Sequence, residues 1–396
     1  MNLPGPSESE YSFIIAGGGM SGLSLAYYLT QSALKDESIL IISQDELGFP
    51  KKTWCYWSEE AETFDHLAEK SWQHLWFHEA NVTSNLLAIQ PFTYSKISSD
   101  TWFAYVVAAL QAHPKVHFLK ANISQFSYAG LGSVVHTTRG EFQATQKIFD
   151  SITPILCEPA NEKHIKQHFL GWAIKSHFPI FKDESAHLFD FRVAFEKECE
   201  FMYVLPTSNR EALFEYTYFS GKIRTKEQYR EKIKNYLLAY YNLSQEEYDL
   251  VEEEFGIIPM RPSHLPAQYI HDKILRIGTS GGFVKPSTGY SFLRTQHLLK
   301  NMVHQLALKN YNGLVVPENK FKYWLDKVLL QVLIDQKVAG NEVFEALFRK
   351  NSPQKMLRFL SEKSTWQEDL SLMTTVPTWP FLRAAISLAW RKNELP

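Results

Sequence analysis

Cysteine is scarce in this sequence. Cys55, Cys157 and Cys199 stand far apart, which excludes a paired zinc-ligand motif, and their odd number fits a reducing, cytoplasmic address better than a disulfide framework. A charge excess is lacking too. The 41 basic residues are balanced by 43 acidic ones, so no one-sided field selects nucleic acid or a strong attraction to anionic lipid. No apolar run reaches the roughly 18 residues of a spanning helix. The opening "MNLPGPSESE" has neither the basic start nor the apolar core of an export signal. HExxH, CxxC, GxSxG and GxxxxGK(S/T) are all missing, so metalloprotease, zinc-ribbon, α/β-hydrolase and P-loop chemistry have no support, and no metal is expected.

Aromatic residues, by contrast, are abundant. Ten Trp, 19 Tyr and 27 Phe make up 14% of the chain, which fits either an aromatic-rich core or a pocket for a large apolar ligand. At 396 residues the chain is too long for one core, and two or three lobes are expected.

The amino end reads as strand, tight turn, helix, strand. "YSFIIA" at Tyr11 to Ala16 is a short apolar run, "MSGLSLAYYLTQSAL" has apolar residues at helical spacing, and "SILIIS" is a second apolar run. Such a βαβ unit predicts a parallel sheet covered on both faces. Between its first strand and helix, Gly17, Gly19 and Gly22 form GxGxxG. The first glycine permits the turn, the second lets a pyrophosphate approach the backbone, and the third lets helix and strand pack closely. The alternative is a Gly-rich structural turn. An acidic ribose partner is expected at the end of the second strand, where Ser43 stands instead, with Asp45 two positions on. Either Asp45 reaches the ribose or Ser43 donates a weaker bond, unless both are plain surface residues.

Strands at Val116 to Leu119, Gly132 to Thr138 and Lys147 to Ser151 extend the first sheet, and "KILRIG" at Lys273 to Gly278 resumes it. Between them, strand-like "HLFDFRV" and "FMYVLP" alternate with the charged helix "TKEQYREKIKNYLLAYY". The expected organisation is a discontinuous dinucleotide-binding domain over 10–155 and 265–310, an inserted mixed lobe over 156–264, and a helical region over 311–396. A single βαβ at the amino end, with a distant Gly-rich segment after a returning strand, is the pattern of FAD more than of NAD, because extended FAD needs a second wall. That wall is "IGTSGGFVKPSTGYSF". Gly278, Gly281 and Gly282 bring backbone near the cofactor there, and Pro286 fixes the turn before Gly289. Thr279 stands where many flavoproteins place an acid, so contact is expected from its hydroxyl and from backbone amides.

In order, "IIAGGGMSGLSLAYYL", "KKTWCYW", "QHFLGWAIKSHFPIF" with "LFDFR", "FMYVLPTSNREALFEYTYFS", and "EEFGIIPM" leading to "GTSGGFVKPSTGYSF" resemble bacterial lycopene β-cyclases over nearly the whole chain. The tail "FLSEKSTWQEDLSLMTTVPTWPFLRA" resembles that family's carboxyl end. The resemblance implies an α/β, Rossmann-type flavoprotein of the glutathione-reductase or hydroxylase kind. It also implies a redox-neutral enzyme that folds the ψ-ends of lycopene into β-ionone rings, with FAD kept reduced by NAD(P)H.

Protonating a carbon-carbon double bond makes a tertiary carbocation, so such a site needs a carboxylic acid in an apolar pocket. In "ALFEYTYFS", Glu215 sits among apolar neighbours, and strand alternation puts it on one face with Leu213 and Thr217, opposite Phe214, Tyr216 and Tyr218. By residues alone, Glu215 is either a buried acid or a surface partner of a Lys or Arg. The resemblance implies the acid, because Glu215 matches the family's acidic position; the neighbouring acid of that motif is Tyr216 here, which puts in doubt a mechanism of two adjacent carboxylates. Trp54, Tyr56, Trp57, Trp172 and Phe191 are candidates to face the cation, each also readable as core. Tyr290 either lines the pocket beside flavin or packs beneath the turn. Asp190 and Arg192 read as a structural ion pair, and His168 and His177 as structural histidines.

A lycopene substrate implies contact with a bilayer, at the inner face of the membrane. "VPTWPFLRAAISLAWRK" carries Trp379, Phe381, Leu382, Ile386, Leu388 and Trp390 beside Arg383, Arg391 and Lys392. It reads either as an interfacial helix or as a terminal helix covering the core. Two other functions stay open: a flavin-dependent oxidoreductase or hydroxylase with net redox turnover, and a carotenoid-binding flavoprotein without turnover.

Overall fold

The structure is a computed structural model of the chain. It describes residues 5–6, 8–44, 51–81, 83–129, 132–153, 165–193, 198–260, 269–271, 273–314 and 319–392. In chain order the first elements are β1 (Glu10–Ala16), α1 (Met20–Thr30), β2 (Ile39–Ser43), β3 (Thr53–Ser58), β4 (Lys70–Trp72), β5 (His74–His78), β6 (Ser84–Ala88), β7 (Thr93–Ser98), α2 (Ser99–Gln111) and β8 (Val116–Lys120). A meander of β9 (Ile123–Ala129), β10 (Gly132–Thr137) and β11 (Gly140–Asp150) follows. Then come β12 (Ile165–Ser176), β13 (Ala186–Asp190), β14 (Cys199–Pro206), β15 (Glu211–Ser220), α3 (Lys226–Tyr241), β16 (Tyr248–Met260), β17 (Tyr269–His271) and β18 (Ile274–Arg276). The remainder is helical: α4 (Phe292–Ala307), α5 (Lys320–Asp335), α6 (Gly340–Lys350), α7 (Pro353–Leu360), α8 (Trp366–Met373) and α9 (Thr378–Lys392).

Strands β8, β2, β1, β11 and β18 lie side by side and parallel, as the βαβ reading predicts. Burial on both faces explains their nearly continuous apolar sequences. Phe13 and Ile15 of β1 pack with α1, α2 and α4, while Ile14 turns to the other side, where Val135 and Phe142 of the meander cover it.

A second sheet runs in the order β16, β12, β15, β14, β13, β5, β6. Its alternation separates two cores. Phe214, Tyr216 and Tyr218 join Leu170 and Trp172 under α3. Leu213 and Phe219 enter a core built also from Trp57, Phe77, Phe189 and the helices α5, α6 and α7. The sequence expectation of one domain over 10–155 includes residues 74–88, yet β5 pairs with β13 and β6 with β5, so both strands belong to the second sheet. The cause is packing: Leu75 and Phe77 complete the core against Phe189 and Phe348. A long-range pairing of this kind leaves no local trace.

A small sheet of β3, β7 and β4 bridges the two bodies. Along β3, Trp54 packs with the first core and Trp57 lies in the second. The carboxyl-terminal helices are tied to the segment after β18 by a buried ion cluster. Lys285 Nζ donates to Asp326 Oδ1 of α5 at 3.0 Å and to Glu362 Oε1 at 3.3 Å, and Arg294 of α4 also pairs with Glu362. Removing one partner of a buried pair leaves an uncompensated charge, which costs about 3–5 kcal/mol. Lys285→Met is therefore predicted to lower unfolding stability by about that amount, read by urea denaturation followed through tryptophan fluorescence.

Candidate active site

The amino-terminal glycines stand at the carboxyl edge of the parallel sheet. β1 ends at Ala16, and α1 starts at Met20 with Gly19 as its N-cap. A Cβ on Gly22 would lie 2.0 Å from the Gly17 carbonyl oxygen, so only glycine lets helix and turn approach this closely. No acidic side chain occupies the first turn of α1, which leaves its amides and positive dipole end suited to a phosphate. Ser43 ends β2 half-buried, whereas Asp45 lies outside the described residues.

The segment after β18 meets this turn. Ile277 N–H donates to the Asp150 carbonyl at 2.9 Å, and a Cβ on Gly278 would come within 2.7 Å of Ser21 Oγ in α1. Thr279 is exposed, Gly281 is buried, and Gly282 and Pro286 are half-buried. Gly289 N–H donates to the Lys285 carbonyl at 2.9 Å and closes a turn at φ 71°, where a side chain would be strained. A Cβ there would also stand 2.2 Å from Gln167 Oε1 of β12. The turn thus seats directly on the second sheet. Among the described residues, buried Gln167 Oε1 and Thr288 Oγ1 have no hydrogen-bond partner, an arrangement suited to a polar ligand such as a dinucleotide at this wall.

Tyr290 leaves that turn toward the second sheet. Its ring meets Trp57 edge-on at 4.5 Å, and its hydroxyl lies 3.4 Å from that of Tyr203 on β14. Tyr203 is the register partner of Glu215 on β15. Beyond Glu215 come Gly171 of β12 and then Glu254 of β16, in one line across four strands. Direct partners in an antiparallel sheet share a face. The two carboxyls therefore stand on the same side, separated by a residue without a side chain.

Glu215 is half-buried and accepts a hydrogen bond from Thr217 Oγ1 at 3.1 Å. Desolvation, helped by the charge of Glu254, pushes its pKa up to about 8, against the lowering effect of Thr217. It holds its proton at neutral pH. Burial likewise raises Glu254 to about 7, although the Thr53 N–H donates to its Oε2 at 2.9 Å and Lys52 pulls the other way. Facing them from β3, Cys55 is pushed up to about 12 by burial and remains a thiol. A cleft of about 250 Å³ opens beside this row, with Gly171, Ala173, Leu213 and Glu254 in its lining.

Sequence reasoning singled out Glu215 and its face but missed Glu254. In "VEEEFGIIPM" three consecutive glutamates look alike, and only strand register distinguishes Glu254 from Glu253, which faces the other way to Trp172 Nε1 and Arg230. The structure brings Trp57 and Tyr290 together, and Phe191 lies fully buried in the same core. Trp54 and Tyr56 stack on Phe292 toward the first body, and Tyr56 donates its hydroxyl to Asp65. Trp172 is not brought to Glu215; one position along β12 from Gly171, it points into the core under α3. Asp190 and Arg192 do form an ion pair, with Arg192 Nε donating to Asp190 Oδ1 at 2.9 Å.

The family described as lycopene cyclase protein matches residues 12–386. The chain belongs to the lycopene cyclase family. No curated protein matches it. Among solved structures it is similar to a geranylgeranyl bacteriochlorophyll reductase-like protein from Thermoplasma acidophilum, at 11% identity and a TM-score of 0.61 over 95% of this chain and 98% of that one. It is also similar to halogenase PltM in complex with phloroglucinol and FAD, at 13% identity and 0.58 over 98% and 93%. Aklavinone-11 hydroxylase with FAD and aklavinone aligns at 12% identity and 0.55 over 84% and 70%. These likenesses show that this lycopene cyclase family member shares its α/β fold with those proteins.

Both carboxyls are raised in the folded state, so the stability they contribute is fully present below the ordinary value of 4.5 and is lost as pH rises through about 7 and about 8. The wild type is predicted to lose stability between about pH 5 and pH 9, and a Glu215→Gln, Glu254→Gln double variant to lose much less over the same range. Chemical denaturation at intervals across that window measures the difference.

Proposed function

We propose that this protein is a lycopene β-cyclase that converts the linear ψ-ends of lycopene, or a related carotenoid, into β-ionone rings without net redox change. The reading assigns FAD to the wall formed by Gly17, Gly19, Gly22, Gly278, Thr279, Gly281, Gly282, Pro286 and Gly289, with NAD(P)H as the electron source. Family membership supports it, and one geometric observation carries it: Glu215 is in register with Tyr203, whose hydroxyl meets Tyr290 of that wall. The first sheet, over 10–155 and 265–310, serves as the FAD-binding part apart from β5 and β6; 156–264 faces the substrate, and 311–396 caps the site.

Reduced flavin, when bound, supplies an electron-rich neighbour for a developing cation. Glu215 gives its proton to the terminal double bond of the ψ-end, and the rings of Tyr203, Tyr290 and Trp57 offer π faces to the resulting charge. Packing of these rings keeps out water that would trap the cation as an alcohol.

A bilayer-dwelling substrate also calls for a docking face. Trp379, Leu382, Ile386 and Trp390 are exposed along α9, opposite the buried Ala384. On α8, Trp366, Leu370 and Met373 form a second exposed stripe at helical spacing, which sequence reading missed. Among the described residues no helix is long and apolar enough to cross a membrane, so contact at the interface is the mode these stripes suit. Ser in place of Trp366, Trp379 and Trp390 together is predicted to release the protein from vesicles in a flotation assay while flavin stays bound.

The catalytic assignment is tested in lycopene-accumulating cells. Wild type is expected to yield cyclic carotenoid, and Glu215→Gln to lower it by about 10²–10⁴-fold, the usual worth of a general acid, while the purified variant keeps its flavin. Unchanged cyclisation by Glu215→Gln removes the assignment. Stoichiometric NAD(P)H or oxygen use per product would identify a redox enzyme instead.

A further inference from the structure

Tyr216 stands where the sequence has no second acid beside Glu215, but the fold supplies one from another strand. We propose that Glu254 returns a proton to Glu215 across Gly171 after each ring closure, drawing its own proton from water in the adjoining cleft. The proposal rests on the reading of Glu215 as the acid. Each cyclisation breaks the O–H bond of Glu215 and forms a C–H bond on the substrate. The O–H bond of Glu254 then breaks as that of Glu215 reforms, and Glu254 takes a proton from water. The proton shed when the ring double bond forms goes back to solvent, so the count closes at zero.

Three observations carry it. Glu215, Gly171 and Glu254 are consecutive register partners, so the carboxyls face the same side with no side chain between them. A Cβ on Gly171 would lie 3.7 Å from Glu215 Cγ and 3.2 Å from Leu213 Cδ1, so the side chain of Glu215 borders the open space that the glycine leaves on the way to Glu254. The cleft of about 250 Å³ reaches Glu254, Gly171 and Leu213 from a charged mouth and has room for several waters between polar groups.

The charges facing Glu254 are mixed. Glu252 stands on its own strand, Lys51 and Lys52 precede and Lys96 flanks β3, and Glu69 and Asp100 complete the rim. Lys51 pairs with both Asp100 and Glu252, and Lys96 with Glu69, which leaves the rim close to neutral. The Thr53 N–H holds Glu254 Oε2 in place, and a glutamine at 254 retains an oxygen able to accept that bond. Burial raises both carboxyls, Glu215 to about 8 and Glu254 to about 7, so each can carry a proton near neutral pH.

The full-length flavoprotein is assayed with lycopene in liposomes, with flavin reduced, across pH 6 to 9. Glu254→Gln is expected to lower kcat by about tenfold or more, with KM for lycopene and bound flavin unchanged. Sodium formate is expected to restore turnover as a diffusible acid, and Glu254→Asp to be intermediate. Glu215→Gln is expected to stay inactive with or without formate. A wild-type rate and pH profile in Glu254→Gln, or a loss that formate does not relieve, overturns the role of Glu254. If Glu254→Gln does not accumulate folded, Glu254→Asp decides: a formate-dependent rate supports the relay, and a formate-independent one overturns it. Wild-type activity in Glu215→Gln instead overturns the underlying reading of the acid, whatever Glu254 does.

Discussion

A carboxyl group set into a buried strand is tolerated in one of two ways: it finds a cation, or it keeps its proton. At Glu215 the second holds, because its nearest influences are desolvation, the like charge of Glu254 and a neutral hydroxyl from Thr217. The contrast lies one residue from Glu254, where Glu253 takes Arg230 and Trp172 as partners on the opposite face and is held near 2. Two adjacent glutamates on one strand thus shift in opposite directions through the face each occupies. The proposed proton-initiated cyclisation depends on that kind of sorting, since an exposed or paired carboxyl has no proton to give to an alkene.

Keeping such an acid dry requires material on every side, and the fold gathers it from distant segments. β14 and β12 flank Glu215 in the sheet, β3 covers it with Cys55, and the turn from Lys285 to Tyr290 links it to the first, parallel sheet. That turn is fixed from two directions. Gly289 allows it to lie against Gln167, and Lys285 anchors it to Asp326 and Glu362 of the helical region. A buried lysine with two acidic partners is weak evidence for extra stability. Its consequence here is geometric: the helices cannot shift without moving the turn that carries Tyr290.

Much of this was legible in the sequence because it is local. The parallel sheet announced itself in "YSFIIA" and "SILIIS", and the alternation of "ALFEYTYFS" showed which face Glu215 shares, whereas its reading as an acid came from the family resemblance. What escaped was non-local. β5 and β6 joined the second sheet through a partner more than a hundred residues away, and Glu254 reached the acid through two strand pairings that no periodicity encodes. Trp172, readable in the sequence as either pocket or core, is turned by the pleat into the core under α3. The exposed stripe of α8 escaped for another reason. Trp366, Leu370 and Met373 sit among acidic neighbours, and only solvent exposure distinguishes them from a buried seam.

The central claim is a proton-initiated cyclisation without net electron transfer, and it is tested most directly by following isotope and reductant together. Purified protein with its flavin reduced is given lycopene in deuterium oxide, and the product is analysed by mass spectrometry while NAD(P)H oxidation is recorded. The account predicts one deuterium incorporated per ring formed and no NAD(P)H consumed in proportion to rings. Rings formed without solvent deuterium, or one NAD(P)H oxidised per product, would contradict it.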